Sequence, residues 1–147
     1  MSVLRTVFPI DATCAAWLDS ESVSHPASTE TTRFPTPRQI TEVLHQLAGF
    51  TVSITADSAT GEWSARIDAA DPANPSWALL RVSDYRSDDQ PHEFYFPNGW
   101  PEVIFTVVER LTHHCGPLVV VEDTGDKPTV VRSNDSIQAL LREHEVA

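Results

Sequence analysis

The stretch of sequence that decides the fold is residues 36–68, TPRQITEVLHQLAGFTVSITADSATGEWSARID. Its first part predicts a helix over 37–48, because apolar side chains recur there at about every third or fourth position. Thr36 is a good N-cap, and Gln39 completes a capping box. Gly49 stands where a helix commonly ends in a left-handed residue. The sequence therefore marks both ends of this helix.

The second part of the same stretch changes to a period of two, the period of a half-buried strand. Apolar residues alternate with polar ones over 50–57 and again over 62–68, on either side of the turn-forming residues DSATG. Two alternating runs with a short connection that contains glycine predict an antiparallel hairpin.

The rest of the body continues with these two periods. A further helix begins with a proline, carries two histidines in its last turn and is followed by Gly116, as is typical of helix ends. The elements predicted after the hairpin are strands 77–84 and 92–96, a turn at Asn98-Gly99, a helix over 101–115, strands 117–122 and 128–132, and a helix over 135–144.

Residues 1–35 predict an N-terminal arm apart from the main body. Residues 3–10 have the pattern of a strand and 12–18 that of a short helix, and a linker rich in Ser, Thr and Pro follows. Residues 36–147 are predicted to form a single α+β domain. We predict an α+β fold with an antiparallel or mixed sheet, helices on one side, and the order (N-terminal arm)-α-β-β-β-β-α-β-β-α.

The predicted sheet is apolar on parts of both faces. In strand 77–84 one set of alternate residues faces the helices, so Trp77 and Leu79 face away, as does Tyr95 of the next strand. Burial of each large apolar side chain stabilises a fold by roughly 1.5–3 kcal/mol. We expect residues 1–18 of the arm to cover them, and a second copy of the chain or a partner protein is the alternative.

The charge balance restricts the partners. The chain has 21 acidic residues against 10 Lys and Arg, a formal net charge of -11. Such a surface repels phosphate backbones and anionic lipid, so neither nucleic acid nor membrane is an expected partner. A basic partner protein or simply water is the better match, and solubility is the simplest interpretation of the charge. The N-terminal residues lack the apolar core of a signal peptide, and no stretch has the length of a membrane span. We therefore expect a cytoplasmic protein.

The motifs of nucleotide and metal chemistry are missing from the sequence. The five glycines fall at or near element boundaries or turns, and none belongs to a GxGxxG or phosphate-binding loop. There is no HExxH, GxSxG or EF-hand pattern, so no cofactor is predicted. Cys14 and Cys115 lie far apart without a CxxC pattern, which makes a disulfide framework or a zinc knuckle a poor interpretation.

The run His113-His114-Cys115 resembles a metal site, but its spacing argues against one. Consecutive helical residues point about 100° apart, so three in a row do not converge on one ion. Glu109 and His113, four residues apart, supply at most half of a site. Cys115 fits the apolar stripe of its helix and is interpreted as a core residue, although a pairing with a distant histidine stays open.

The segment 84–96 combines carboxylates with aromatic residues and is the predicted recognition surface. Loops vary without unfolding a domain, and aromatic side chains supply contact area with a polar tip. The predicted partner-binding residues are Asp84, Asp88, Asp89, Glu93, Tyr95, Trp100, Trp77 and Leu79. A second acidic group is Glu122, Asp123 and Asp126. Turn-forming aspartates explain both groups without a cation, and no catalytic or metal-binding residue is assigned.

The order of the body elements resembles that of type III secretion chaperones: helix 37–48, strands 50–57, 62–68 and 77–84, helix 101–115, strands 117–122 and 128–132, and helix 135–144. Those proteins are small acidic dimers that hold an extended segment of a partner. The resemblance covers about three quarters of the chain and rests on element order and charge. The strand HEFYF and the N-terminal arm depart from the pattern, and no functional residue is carried over.

Two functions from different classes follow. The first is a non-catalytic acidic protein-binding module, such as a chaperone, an adaptor or an immunity-type inhibitor, with a possible basic partner and a possible homodimer. The alternative is a small metal-assisted or thiol-dependent enzyme that uses His113, Cys115 or the carboxylate groups. The acidity, the apolar leftover face and the missing catalytic motifs favour the binding module.

Overall fold

The structure is a computed structural model that describes residues 3–26, 33–125 and 127–146. Part of the predicted linker, residues 27–32, lies outside these ranges. The described residues form four helices and a seven-stranded antiparallel sheet, which confirms the α+β fold. The elements in chain order are β1 (Arg5–Pro9), α1 (Ala12–Ser20), α2 (Pro37–His45), β2 (Phe50–Asp57), β3 (Glu62–Ala69), β4 (Trp77–Val82), β5 (Phe94–Gly99), α3 (Pro101–Cys115), β6 (Leu118–Glu122), β7 (Thr129–Val131) and α4 (Ile137–Val146).

The N-terminal strand lies inside the sheet, between elements far from it in sequence. The strand order is β2-β3-β4-β5-β1-β6-β7, and all neighbouring strands are antiparallel. Val7 of β1 stands opposite Phe94 of β5 on one side and Val120 of β6 on the other. The first strand therefore joins the β2–β5 meander to the β6–β7 hairpin rather than lying apart from the sheet.

The sheet carries helices on both faces. On one face, α2, α3 and α4 cover a continuous core that contains Ala78, Leu80 and Val82 of β4, as the alternation in the sequence predicts. On the other face, Leu18 of α1 packs with Val119 of β6 and Val130 of β7 in a separate small cluster. Three helices thus share one side, and the arm contributes the fourth to the opposite side.

The prediction that the arm covers Trp77 and Leu79 is wrong. Helix α1 lies over β6 and β7, whereas β4 stands three positions away from β6 in the sheet. Trp77 and Leu79 remain half-exposed on the open face. The guanidinium of Arg66, 4.2 Å from the ring centroid, stacks on Trp77 and partly replaces the missing cover.

The starts of α1, α2 and α3 follow the signals in the sequence, whereas α2 ends at His45 instead of the predicted residue 48. The Thr36–Gln39 capping box is formed, and helix α3 has the predicted bounds. The carboxylate of Asp11 accepts the N–H of Cys14 at 2.8 Å and caps α1. Helix α4 begins two residues later than predicted because Ser136 caps it, its hydroxyl accepting the N–H of Ala139 at 3.3 Å.

The predicted turn at Asn98-Gly99 is wrong, because both residues belong to β5. Asn98 pairs with Leu79 and Gly99 with Ala78, after a shift of register that places Pro97 at a bulge. A bulge tolerates proline because its unpaired residue needs no N–H. The two strands approach so closely that a Cβ on Gly99 would lie 2.7 Å from the Cβ of Ala78. Glycine is therefore required here for space.

A buried ion pair fixes β1 to its neighbours. The Nε of Arg5 lies 2.9 Å from Oε1 of Glu122, and the side chains are only 6% and 9% exposed. A terminal nitrogen of Arg5 also donates to the carbonyl oxygen of Gly99 at 3.3 Å. One guanidinium thereby links β1 to the ends of β6 and β5.

We expect removal of one partner of this pair to destabilise the fold more than removal of both. Arg5→Met removes the guanidinium that faces the Glu122 carboxylate, and Glu122→Leu removes the carboxylate that faces the buried Arg5. Each should lower the free energy of unfolding by about 3–5 kcal/mol, while the double substitution should cost less than either. Urea denaturation of the four proteins measures this. Arg38→Met, which breaks an exposed pair with Asp89, is the control and should have a smaller effect. Additive single effects would contradict the assignment.

We also expect Gly99→Ala to destabilise the protein by about 1–3 kcal/mol through overpacking. Gly49→Ala is the control, because Gly49 has a φ of +82° but no atom within 4 Å of an added Cβ. It reports backbone strain without a clash. Thermal unfolding of both variants separates the clash with Ala78 from backbone strain. An equal loss of stability in the two variants would contradict the prediction, because the clash would then add nothing.

Candidate functional site

The fold separates the residues that the sequence groups into one recognition surface. Trp77 and Trp100 lie at one end of the sheet, where the N–H of Trp100 donates to the carbonyl of Trp77 at 2.8 Å. The acidic loop 84–92 joins β4 and β5 at the opposite end, a distance of roughly 20 Å along a six-residue strand. Leu79 and Tyr95 are half-buried on the open face between them.

The acidic loop is fastened to the start of α2. The carboxylate of Asp89 accepts from the Nε of Arg38 at 2.7 Å, and the carbonyl of Asp88 accepts the backbone N–H of Arg38 at 3.0 Å. The guanidinium holds the pKa of Asp89 below its usual value. The hydroxyl of Tyr85 donates to the carboxylate of Asp88 at 2.7 Å. Asp88 and Asp89 therefore hold the loop in place.

Two exposed carboxylates of the region remain, and they point to different places. Asp84 occupies a left-handed turn with a φ of +48°, beside Gly61 of the β2–β3 turn. Glu93 precedes β5 and lies on the rim of a groove described below. The predicted cluster of four acidic residues is thus divided into a structural pair and two separate surface charges.

Glu109 and His113 form the pair that their spacing predicts. Oε2 of the buried Glu109 lies 3.1 Å from Nε2 of His113 and accepts the N–H of Asn134 at 3.1 Å. Asn134 has a φ of +68°, so the carboxylate anchors the tight turn before α4. Among the residues that the structure describes, no group of three or more His, Cys, Asp or Glu could hold a metal ion. Asp126 of the second acidic group lies outside them.

The two thiols have different environments. Cys115 is fully buried in the core, and desolvation raises its pKa to about 12. Cys14 is half-buried on α1, where burial and then the nearby charge of Asp11 raise its pKa. At neutral pH both therefore stay protonated, and a thiolate nucleophile has no support at Cys115.

An apolar groove that sequence reasoning missed lies beside α1 on the second face of the sheet. It has a volume of about 520 Å³. Phe8 of β1 and Trp17 of α1 are each 38% exposed and form part of its lining. The other apolar lining residues are Pro9, Cys14, Phe34 and Val121.

The signal for this groove was present in the sequence. Val7 and Phe8 are adjacent and large, and so are Trp17 and Leu18. Neighbouring side chains of a strand or helix point in different directions, so only one member of each pair can enter the cluster that the other packs into. The structure buries Val7 and Leu18 and leaves Phe8 and Trp17 at the surface. Locating the groove required knowledge that β1 lies within the sheet.

The rim of the groove is acidic. Asp11 and Glu93 stand among its lining residues, and no Lys or Arg does in the described part of the chain. Thr6 and Thr13 complete the polar part of the lining. The arrangement combines exposed aromatic surface with negative charge, which suits an apolar group that carries a neighbouring positive charge.

A second groove, of about 670 Å³ and more polar, lies between residues 22–24 and β7. Lys127 and Arg132 line it together with Glu143. Nearby, Nδ1 of His25 lies 2.7 Å from the carbonyl of Pro26 and Nε2 lies 2.8 Å from the carboxylate of Asp19. These two acceptors raise the pKa of His25. Hydroxyl groups and charges of both signs line this groove, and none of its described lining residues is aromatic.

Comparison of the chain with models of protein families, with curated proteins and with solved structures found no match. In the ranges 3–26, 33–125 and 127–146, no helix is both long enough and apolar enough to span a bilayer. Inferences about function therefore rest on the geometry described above.

We expect one thiol to react in the native protein. Ellman's reagent at neutral pH should titrate Cys14 slowly and leave Cys115 unmodified, because Cys115 has no exposed surface and a pKa raised to about 12. Both should react in urea. Cys14→Ser should abolish the native reaction. Rapid modification of Cys115 in the folded state would restore the thiol-dependent enzyme as a candidate.

Proposed function

We propose that this chain is a non-catalytic acidic protein-binding module that holds a short basic segment of a partner, anchored by an apolar side chain, in the groove beside α1. The observation that carries the proposal is the pair of exposed aromatic rings, Phe8 and Trp17, in one groove with an acidic rim. A chaperone, an adaptor or an immunity-type inhibitor would each use such a site.

The aromatic rings supply the affinity. Large apolar groups that remain exposed next to each other mark interaction sites, and Trp is enriched among the residues that dominate binding energy. The ring of Trp17 and the phenyl group of Phe8 line the same concavity, so one inserted side chain can contact both. Phe34 and Val121 add further apolar surface to this concavity.

The carboxylates attract a basic partner to the groove. A net charge of -11 attracts basic chains from a distance, and Asp11 and Glu93 place negative charge at the groove itself. Exposed pairs of this kind add only about 0–1 kcal/mol each to affinity, but they speed association. The groove therefore distinguishes a basic apolar segment from a neutral one chiefly by rate.

The alternative enzyme has weaker support. The pKa of Cys115 is raised to about 12, and Glu109 is held by Asn134 and His113. Both groups thus already serve the packing of α3 and α4. The resemblance to type III secretion chaperones agrees with the proposed binding of an extended segment, although the groove lies on the arm that departs from that pattern.

The test uses a random linear peptide library displayed on phage. We expect the purified protein to enrich peptides in which an aromatic or aliphatic residue is flanked by Arg or Lys. A synthetic consensus peptide should slow the alkylation of Cys14, which lines the groove. Trp17→Ala should weaken its binding by about tenfold or more, as expected for an aromatic anchor. Trp100→Ala is the matched control, because Trp100 is 42% exposed but lies outside the groove.

A charge variant separates steering from anchoring. Asp11→Asn with Glu93→Gln removes both rim charges and keeps a side chain that caps α1. This variant should slow association and reduce its dependence on salt, with little change in dissociation. Enrichment of acidic peptides, or a consensus peptide that binds the Trp17→Ala protein as tightly as the unmodified one, would refute the proposal.

A further inference from the structure

One long edge of the sheet is left unpaired by the residues that the structure describes. Strand β2, eight residues long, pairs with β3 on one side and is the terminal strand of the sheet on the other. In the described residues, no backbone hydrogen bond reaches the outer side of β2. The opposite edge, β7, has only three residues. The outer backbone groups of β2 are therefore the largest set available for pairing.

Strand β2 lacks the features that protect sheet edges. Natural edges carry lysine, proline, a bulge or an inward-pointing charge, which discourage pairing with another strand. Residues 50–56, FTVSITA, contain no charged residue and no proline. The register between β2 and β3 runs without interruption over all eight positions, so there is no bulge.

Both faces of β2 suit a neighbouring strand. On the helix-covered face, Phe50, Val52 and Ile54 are half-buried and pack at the margin of the core. On the open face, Thr51, Ser53 and Thr55 are exposed. A strand added to this edge would complete the burial of the apolar row and give the hydroxyl row cross-strand partners.

We propose that the occupant is a second copy of the chain, and that two β2 strands pair antiparallel about a two-fold axis at Ser53. Two residues that stand opposite each other in a sheet have their side chains on the same face. When identical strands pair antiparallel, this condition excludes a two-fold axis between two residues and permits only an axis at a residue. Ser53 is the midpoint of the uncharged stretch 50–56. This register therefore pairs the whole stretch with itself, with Thr51 opposite Thr55 and Val52 opposite Ile54.

Charge selects a second copy as the occupant, and antiparallel as its orientation. A foreign basic segment gains nothing from residues 50–56, which carry no charge. Two copies of a chain with a net charge of -11 repel each other least where their surfaces are neutral. Asp57 and Glu62 lie at the tip of the β2–β3 hairpin, and antiparallel pairing places the two tips at opposite ends of the interface. Parallel pairing would bring these carboxylates together.

Sedimentation equilibrium tests the proposal. The unmodified protein should be a dimer, and Ser53→Lys should raise the dissociation constant several-fold or more, because the two lysines face each other at the axis. Ser64→Lys, on the same face of β3, is the matched control and should leave the dimer intact. A monomeric unmodified protein, or a dimer indifferent to Ser53→Lys, would overturn the proposal.

A cysteine variant tests the register without added charge. Ser53→Cys in a Cys14→Ser background should form an intermolecular disulfide on mild oxidation, because opposed residues of antiparallel strands have Cα atoms about 4.5–5.5 Å apart, within the range of a disulfide. Ser64→Cys should not. Failure of Ser53→Cys to cross-link would refute pairing at Ser53. Trp17→Ala should remain dimeric, so loss of groove binding and loss of the dimer are separate outcomes.

Discussion

The position of β1 between β5 and β6 is the constraint on which the rest of the structure depends. This strand is the only described connection between the β2–β5 meander and the β6–β7 hairpin within the sheet. Arg5 and Glu122 close one end of it with a buried ion pair, and Val7 joins the core in its middle. Because α1 follows directly, the placement of β1 also fixes where α1 lies and forms the groove between Phe8 and Trp17.

Local signals in the sequence predicted most elements but not this arrangement. The capping box at Thr36 and the alternation over β2 and β3 depend on neighbours a few residues away, so they can be read directly. The pairing of Arg5 with Glu122 joins residues 117 positions apart, and no periodicity records it. The groove was missed for the same reason, since it is formed by the arm and the sheet together. The turn predicted at Asn98-Gly99 is wrong because Gly99 is required by the close contact between two strands. The sequence alone does not distinguish such a glycine from one that is required by a turn.

The acidic loop shows that the density of charge in a sequence differs from the charge that is free to act. Asp88 and Asp89 stand together in the sequence and suggest a steering surface, yet Tyr85 and Arg38 engage them. Asp11 and Glu93 are distant in sequence, and the fold brings them to one rim. The charges in the sequence predict a basic partner, which stays a prediction, while the location of the proposed groove required the tertiary structure.

The twist of the sheet determines how the proposed edge and the proposed groove would be arranged in a dimer. The edge strand β2 and the groove strand β1 belong to one continuous sheet, and three strands, β3, β4 and β5, lie between them. In a dimer paired through β2, nine strand-to-strand steps lie between the two β1 strands, roughly 40 Å at about 4.8 Å per step. A twist of about 20° per step accumulates to about 180° over that distance. The two grooves then open in opposite directions although they lie on the same face of one sheet. A single short segment cannot occupy both, so the two proposals together predict that each copy of the chain binds its own partner segment and that the dimer joins two partners.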